Sequence, residues 1–248
     1  MKISLLTVSY NSASTIADTI NSVLSQDYPD IEYIIVDGNS TDETLQIIQS
    51  YHDRITKWIS EPDQGIYDAM NKAIKMATGD VIGIINSDDF YTHKGVLSQV
   101  ARTLQEKSVD AVYGDLTFVD PDDLKRTVRK YSSMNWTPEK FAWGFMPAHP
   151  TFFVHRSWYE KAGFFKTDYK IAADYEMLIR LLYVHRVSHA YIPENMVVMR
   201  KGGVSSSSLM SNIILNKEIL RACNENGISS NYLKIYSKYF RKVFELVK

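Results

Sequence analysis

From Ile3 to Ile85, short apolar runs rich in β-branched residues alternate with stretches whose apolar residues recur at helical spacing. That alternation limits the fold more than any other feature of the chain. Ile3 to Val8 reads as a buried strand, followed by Ile16, Ile20, Val23 and Leu24 on one helical face, with Ser12 or Ser14 available as N-cap. Glu32 to Asp37 is a second strand, after which Ser40-Thr41-Asp42-Glu43 has the pattern of a capping box opening a helix through Leu45, Ile48 and Tyr51. A strand at Ile55 to Ser60, a helix with Ile66, Ala69, Met70, Ala73, Ile74 and Ala77 on one face, and a strand at Val81 to Ile85 continue the series. Strands and helices in alternation imply an α/β domain with a mostly parallel central sheet covered by helices on both faces. No repeat or low-complexity linker interrupts it.

In an open sheet of this kind ligands bind beyond the carboxyl ends of the strands, so the residues there are the first functional candidates. Asp88 and Asp89 follow the Val81 strand as adjacent acids, which repel each other and are costly to desolvate. A divalent cation explains the pair, and a solvated turn is the plainer reading. Tyr10, directly after the first strand, suits stacking on a planar base or wedging the loop. Asp37, after the second, suits a hydrogen bond from a base or ribose donor, or a capping role. Gln64 and Gly65 open the Ile66 helix, where free backbone N–H groups and the positive dipole end favour a phosphate. No Gly-x-Gly-x-x-Gly follows the first strand, against a dinucleotide site, and no Gly-rich basic loop follows it, against a sugar nucleotidyltransferase.

The run Asp63-Gln64-Gly65-Ile66-Tyr67-Asp68-Ala69-Met70-Asn71-Lys72, then Gly79-Asp80 and Asn86-Ser87-Asp88-Asp89, resembles the nucleotide-sugar half of family 2 glycosyltransferases. These are inverting enzymes of the GT-A fold, and the nearest likeness is to bacterial members that build capsule, exopolysaccharide or O-antigen chains. The resemblance spans roughly the first 205 residues. It implies that Val8, Tyr10 and Asn11 line the nucleotide site, that Asp37 reads the base, and that Gln64, Gly65, Asn71 and Asn86 contact the nucleotide sugar. It also implies that Asp88, with Asp89, holds Mn2+ or Mg2+ on the diphosphate. Where many relatives have Asp-x-Asp, this chain has Asn86-Ser87-Asp88, so the first acid is absent and the second kept.

Residues 1–92 thus read as the nucleotide-sugar half, 93–205 as the acceptor half and 206–248 as a helical extension. In the acceptor half a helix from Val96 to Leu104 precedes a strand from Ala111, and Leu116 to Val119 and Lys125 to Tyr131 flank Asp120-Pro121-Asp122-Asp123 as a hairpin. The aromatic segment Trp136 to Trp143 could stack on sugar faces, but aromatics at this spacing more often pack in the core. His149, just before a strand at Thr151 to His155, suits a substrate contact or a loop hydrogen bond. Asp174 stands at the start of a helix carrying Met177, Leu178, Leu181 and Leu182, and Glu176, two residues on, faces elsewhere. A helix-start acid has a dipole rationale of its own. The family's usual Glu-Asp pair supplies the base that deprotonates the acceptor hydroxyl. Here the Asp is kept and Ala173 replaces the Glu. Arg200 and Lys201, beside Gly202 and Gly203, form a loop suited to pairing with a diphosphate or to a plain basic turn.

A formal net charge of −1 argues against a nucleic-acid partner. The single cysteine, Cys223, permits no intrachain disulfide and fits a reducing compartment. The start is too soon polar for a signal peptide and no run is long enough to span a bilayer, so a cytoplasmic enzyme is expected. In the tail, Tyr232, Tyr236, Phe240, Val243 and Val247 recur on one face among basic residues, which predicts either packing on the domain or peripheral membrane contact through 231–248. The expected activity is metal-dependent transfer from a nucleotide sugar, UDP-linked by preference, to a saccharide or lipid-linked saccharide. The competing expectation is a sugar-nucleotide-binding protein that has lost catalysis.

Overall fold

The computed structural model describes residues 1–202 and 209–242. Residues 203–205 of the glycine-containing loop, and Val243 and Val247 of the tail, lie outside them. Four parallel strands form the first half: β1 (Ile3–Ser9), β2 (Ile31–Asp37), β3 (Lys57–Ser60) and β4 (Val81–Ile84), in the order β3-β2-β1-β4. The chain winds outward from β1 to β3 and then crosses back to β4 on the other side. The carboxyl ends of β1 and β4 therefore flank a topological switch point, where a crevice opens.

Every residue of β1 is buried, and its side chains alternate between two cores. Leu6 and Val8, with Ile34 and Val36 of β2, face α3 (Ile66–Met76). Ile3 and Leu5, with Tyr33 and Ile35, face Ile16, Ile20 and Val23 of α1 (Ile16–Leu24) and Ile48 of α2 (Thr44–Ser50). A strand buried on both faces reads as an unbroken apolar run, which is why these segments are legible in the sequence.

The second half is mixed. After β5 (Phe90–Tyr91) and α4 (Val96–Lys107), β6 (Ala111–Val119) forms the expected hairpin with β7 (Thr127–Tyr131). Next come β8 (Phe153–His155), α5 (Ser157–Ala162), α6 (Ala173–Ile179) and β9 (His189–Arg200). The sheet continues β4-β8-β6-β9-β5, with β8 antiparallel to both β4 and β6, and β6 parallel to β9. Gly83 in β4 lets Phe153 of β8 lie flat on the strand, since a Cβ there would stand 2.2 Å from the ring. α7 (Leu209–Glu225) and α8 (Tyr232–Lys242) close the chain.

Three local expectations are corrected. The Ser40–Glu43 capping box does not form: Ser40 turns its hydroxyl to Asp37, and Asp42 instead accepts the Thr44 N–H at 3.0 Å. Neither Ser12 nor Ser14 caps α1 with its side chain, and the Ser12 hydroxyl meets that of Ser87 at 2.8 Å. In α8 the buried residues are Ile235 and Lys238, whereas Tyr232, Leu233 and Tyr236 are exposed. The tyrosine face read as apolar therefore looks outward, because the groove beside Gly144 receives Ile235 and the Lys238 stem. Among the described residues no helix is long and apolar enough to cross a membrane.

Candidate active site

The loops after β1, β2 and β4 meet at the switch point. Tyr10 is 63% exposed at the tip of β1, free of the wedge role and open to a planar ligand. Its neighbours are occupied by the protein. Val8 is a core residue, so its side chain does not line the site. Asn11 takes a left-handed backbone (φ 48°) and its side-chain oxygen accepts the Thr41 N–H at 2.9 Å, tying the first loop to the second.

Asp37 is fully buried, and both its oxygens are taken. Ser9 and Ser40 donate to one, and Ser60 and the Ser40 N–H to the other. Asp37, expected to read the base, ties β1, β2 and β3 together through these bonds. At the start of α3, Asp68 accepts the Gln64 N–H at 3.1 Å and Asp63 the Gly65 N–H at 2.8 Å, while both residues stay exposed. Asn71 is buried and binds Phe165 in both directions, donating to its carbonyl (2.8 Å) and accepting its N–H (2.9 Å), so it joins the two halves of the fold.

The acidic loop after β4 behaves differently. The Asp89 carboxylate is enclosed, and neither of its oxygens, nor the side-chain oxygen of Asn86, makes a hydrogen bond of ordinary geometry. Burial, followed by the adjacent Asp88 charge, pushes the Asp89 carboxyl well above the usual range, with Arg200 and the nearby Asn86 opposing. Asp88 is partly buried and also raised by burial, against the charges of Arg200 and His149. Buried oxygens without partners are rare in folded proteins, and here they lie beside a second acid. Among the described residues no three His, Cys, Asp or Glu side chains form a closed cage. Hard cations such as Mg2+ commonly use one or two carboxylates and complete their shell with substrate phosphates and water, and this donor set fits that pattern.

Arg200, at the end of β9, does not project from a loose loop. It donates to the Asp88 carbonyl at 2.5 Å, pairs with Asp18 and lies 5.2 Å over the Phe90 ring, bracing the acidic loop from the second half of the fold. Lys201 follows it at an exposed turn.

On the acceptor side, Asp174 sits in the first turn of α6, 19% exposed, with its carboxylate 3.3 Å from Nδ1 of His149. Burial pushes its pKa up, His149 and the Tyr175 and Asp174 N–H groups pull it down, and Glu218 pushes it up again. The His149 charge also opposes the rise at Asp88, so the imidazole lies within electrostatic reach of both acids. Glu176 is fully buried against Arg180 and Lys166, each at 2.8 Å, and turns away from the cleft as its spacing predicts. Trp136 and Phe141 belong to the core, and Trp143 is exposed beneath Lys234.

The profile described as glycosyl transferase family 2 matches residues 4–166. The chain belongs to that family. The enzyme class is thereby glycosyltransferase. An uncharacterized glycosyltransferase of Mycobacterium tuberculosis is 31% identical over 185 residues, 73% of this chain and 69% of its own. Among solved structures, Staphylococcus aureus TarS 1–349 in complex with UDP-GlcNAc superposes with a TM-score of 0.69 at 22% identity, covering 90% of this chain and 66% of that one. The mannosyltransferase PcManGT of Pyrobaculum calidifontis, in complex with GDP-Man and Mn2+, gives 0.66 at 20%, covering 90% and 63%. This family 2 glycosyltransferase thus has the GT-A fold and spans about two thirds of those solved chains.

Two further residues act near Asp174. Tyr67 of α3 donates its hydroxyl to the Ile171 carbonyl at 2.5 Å, and Glu218 of α7 accepts N–H groups just ahead of α6. Tyr67 falls inside the family-like run with no role of its own expected, and Glu218 in the helical extension, where no site residue was expected. Only a contact across 104 or about 47 positions reveals either.

Proposed function

We propose that this enzyme transfers a sugar from a nucleotide sugar, UDP-linked by preference, to a hydroxyl acceptor with inversion at the anomeric carbon, in bacterial surface-polysaccharide synthesis. The observation that carries the reading is the pairing of a partly buried aspartate, Asp174, with His149 at 3.3 Å, in a fold that also presents the enclosed acid loop after β4. One side suits a diphosphate leaving group and the other an acceptor. The TarS structure contains UDP-GlcNAc, which supports a UDP-linked donor.

Burial makes the Asp174 carboxylate a better proton acceptor than an exposed one, while His149 favours its ionised form. The acceptor oxygen forms its bond to the anomeric carbon and its proton passes to Asp174. The bond from that carbon to the diphosphate breaks, and its electron pair leaves with the nucleotide. A single displacement inverts the centre and needs no covalent enzyme intermediate. Tyr10 offers its ring to the base, with Asp37 holding the surrounding loops. Asp88 and Asp89 would hold Mn2+ or Mg2+, which supplies positive charge against the leaving diphosphate when bound.

The acceptor is proposed to be a saccharide or a lipid-linked saccharide. Exposed Tyr232, Leu233 and Tyr236 on α8, with Lys234 lying 5.6 Å over exposed Trp143, form an aromatic and basic face suited to a membrane surface. The enzyme would then act in the cytoplasm, at the inner face of the cytoplasmic membrane. The test of the assignment is Asp174→Asn, with donor hydrolysis and sugar transfer followed separately. Losing a general base costs about 10²–10⁴ in rate, so transfer should fall at least about a hundredfold with donor and metal binding kept. Loss of donor binding instead would make Asp174 a donor ligand, and near-normal transfer would move the base to another acid.

A further inference from the structure

The segment that delivers Asp174 is gripped from both sides. One oxygen of Glu218 accepts the N–H of Lys170 at 2.7 Å, and the other accepts those of Ile171 and Ala172, each at 2.9 Å. Tyr67, from the nucleotide-sugar half, takes the Ile171 carbonyl from the other direction. Three consecutive N–H groups immediately before a helix are donors that the helix itself leaves unpaired. A carboxylate is the strongest neutral-pH acceptor for them. Glu218 is itself buried, so this is a built contact and not a surface accident.

We propose that Glu218 is a positioning residue for Asp174, so that α7, beyond the part of the chain the family profile covers, belongs to the acceptor side of the active site. The inference rests on the reading of Asp174 as the base. Glu218 fixes the backbone from which α6 begins, two residues ahead of Asp174, and thereby sets where the carboxylate meets His149 and the incoming hydroxyl. Misplacing a reacting group by about 1 Å costs up to about a hundredfold in rate, so one lost anchor is enough to register. Other ties of α7 to this region are Glu225 with Lys166 (2.8 Å) and Tyr169 (2.9 Å), Arg221 with Asp168, and Cys223 with the Tyr175 hydroxyl (3.8 Å), none of which touches residues 170–172.

Glu218→Gln separates positioning from folding. Glutamine keeps the volume and one accepting oxygen, but its NH2 opposes one of the three N–H groups. The charged and titratable groups facing Asp174 are His149 from the turn before β8, Tyr67 from α3 and Glu218 from α7. The full chain is assayed with Mn2+ and whichever of UDP-GlcNAc, UDP-glucose and GDP-mannose the wild type turns over. Glu218→Gln should lower kcat about ten- to a hundredfold with donor KM within about twofold. In a 13C-aspartate NMR titration, which needs no donor, the Asp174 midpoint should move to lower pH, because the negative charge that raises it is gone. Glu225→Gln, which loosens α7 elsewhere, should lower the melting temperature and leave both readouts unchanged. If Asp174→Asn is inactive while folded Glu218→Gln keeps wild-type kcat and midpoint, or if Glu225→Gln reproduces the Glu218 effects, the positioning role is wrong. If Asp174→Asn transfers normally, the base reading fails instead.

Discussion

Asp88 and Asp89 are adjacent and carry the same charge, yet they sit differently. Asp88 is partly open, and Asp89 is enclosed with both oxygens lacking hydrogen bonds. Leaving a charged group so placed is expensive unless a cation or a proton joins it. On the proposed reading Asp88 reaches the metal, and Asp89 would ionise only with a cation beside it. Asp88→Ala should abolish the metal-dependent part of UDP binding while the protein stays folded. Titration calorimetry with and without Mn2+ checks this, and unchanged metal-dependent affinity in a folded variant would remove Asp88 as a ligand. Asp37 shows the opposite arrangement for a strand-end acid, because four donors from Ser9, Ser40 and Ser60 bind its two oxygens.

At the scale of elements, what matters is which face of a helix is covered. α8 buries Ile235 and Lys238 and leaves Tyr232, Leu233 and Tyr236 outside. Packing on the domain and an outward aromatic face are therefore both present in one helix. Deleting the residues after Ser230 should abolish sedimentation with vesicles containing anionic lipid and leave a folded domain with lower stability, since the Ile235 contact is lost. Full-length protein that stays in the supernatant would rule out membrane docking through this helix. A melting curve measured beside the sedimentation assay separates docking from unfolding.

Across the whole molecule, the end of the sheet away from the site carries its own polar anchor. Glu32 is buried in β2, and burial alone would raise its pKa. Hydrogen bonds from Ser4, the Thr78 N–H, Lys57 and the Thr78 hydroxyl outweigh that and hold the carboxyl far below its usual range. Lys2 adds an ion pair at 3.4 Å. A carboxylate whose pKa is lowered on folding contributes stability above its unfolded value of about 4.5, and that stability is lost as pH falls toward the folded value. Glu32→Gln should cost about 2 kcal/mol at pH 7, because it leaves buried donors and half-exposed lysines without a carboxylate. Its melting temperature should then fall less than that of the wild type between pH 6 and pH 3. Parallel pH profiles would show that Glu32 carries no linked proton.

The sequence by itself determined the strands β1 to β4, the faces of α1 and α3, the hairpin of β6 and β7 and the loops that hold the acids. Each of these follows from local periodicity and from burial on one or both faces, which leave a record in neighbouring residues. It also determined that Asp174 and Glu176 point apart, since two residues along a helix cannot share a face. The tertiary structure alone decided which polar side chains remain free for a ligand. Asp37 and Asn71 have the residue types of a binding site, but parts of the chain 23 and 94 positions away reach them. It alone decided that Glu218 stands beneath Asp174. A hydrogen bond is made by whichever partner the fold brings within about 3 Å, and partners tens of residues apart leave no mark in the local pattern.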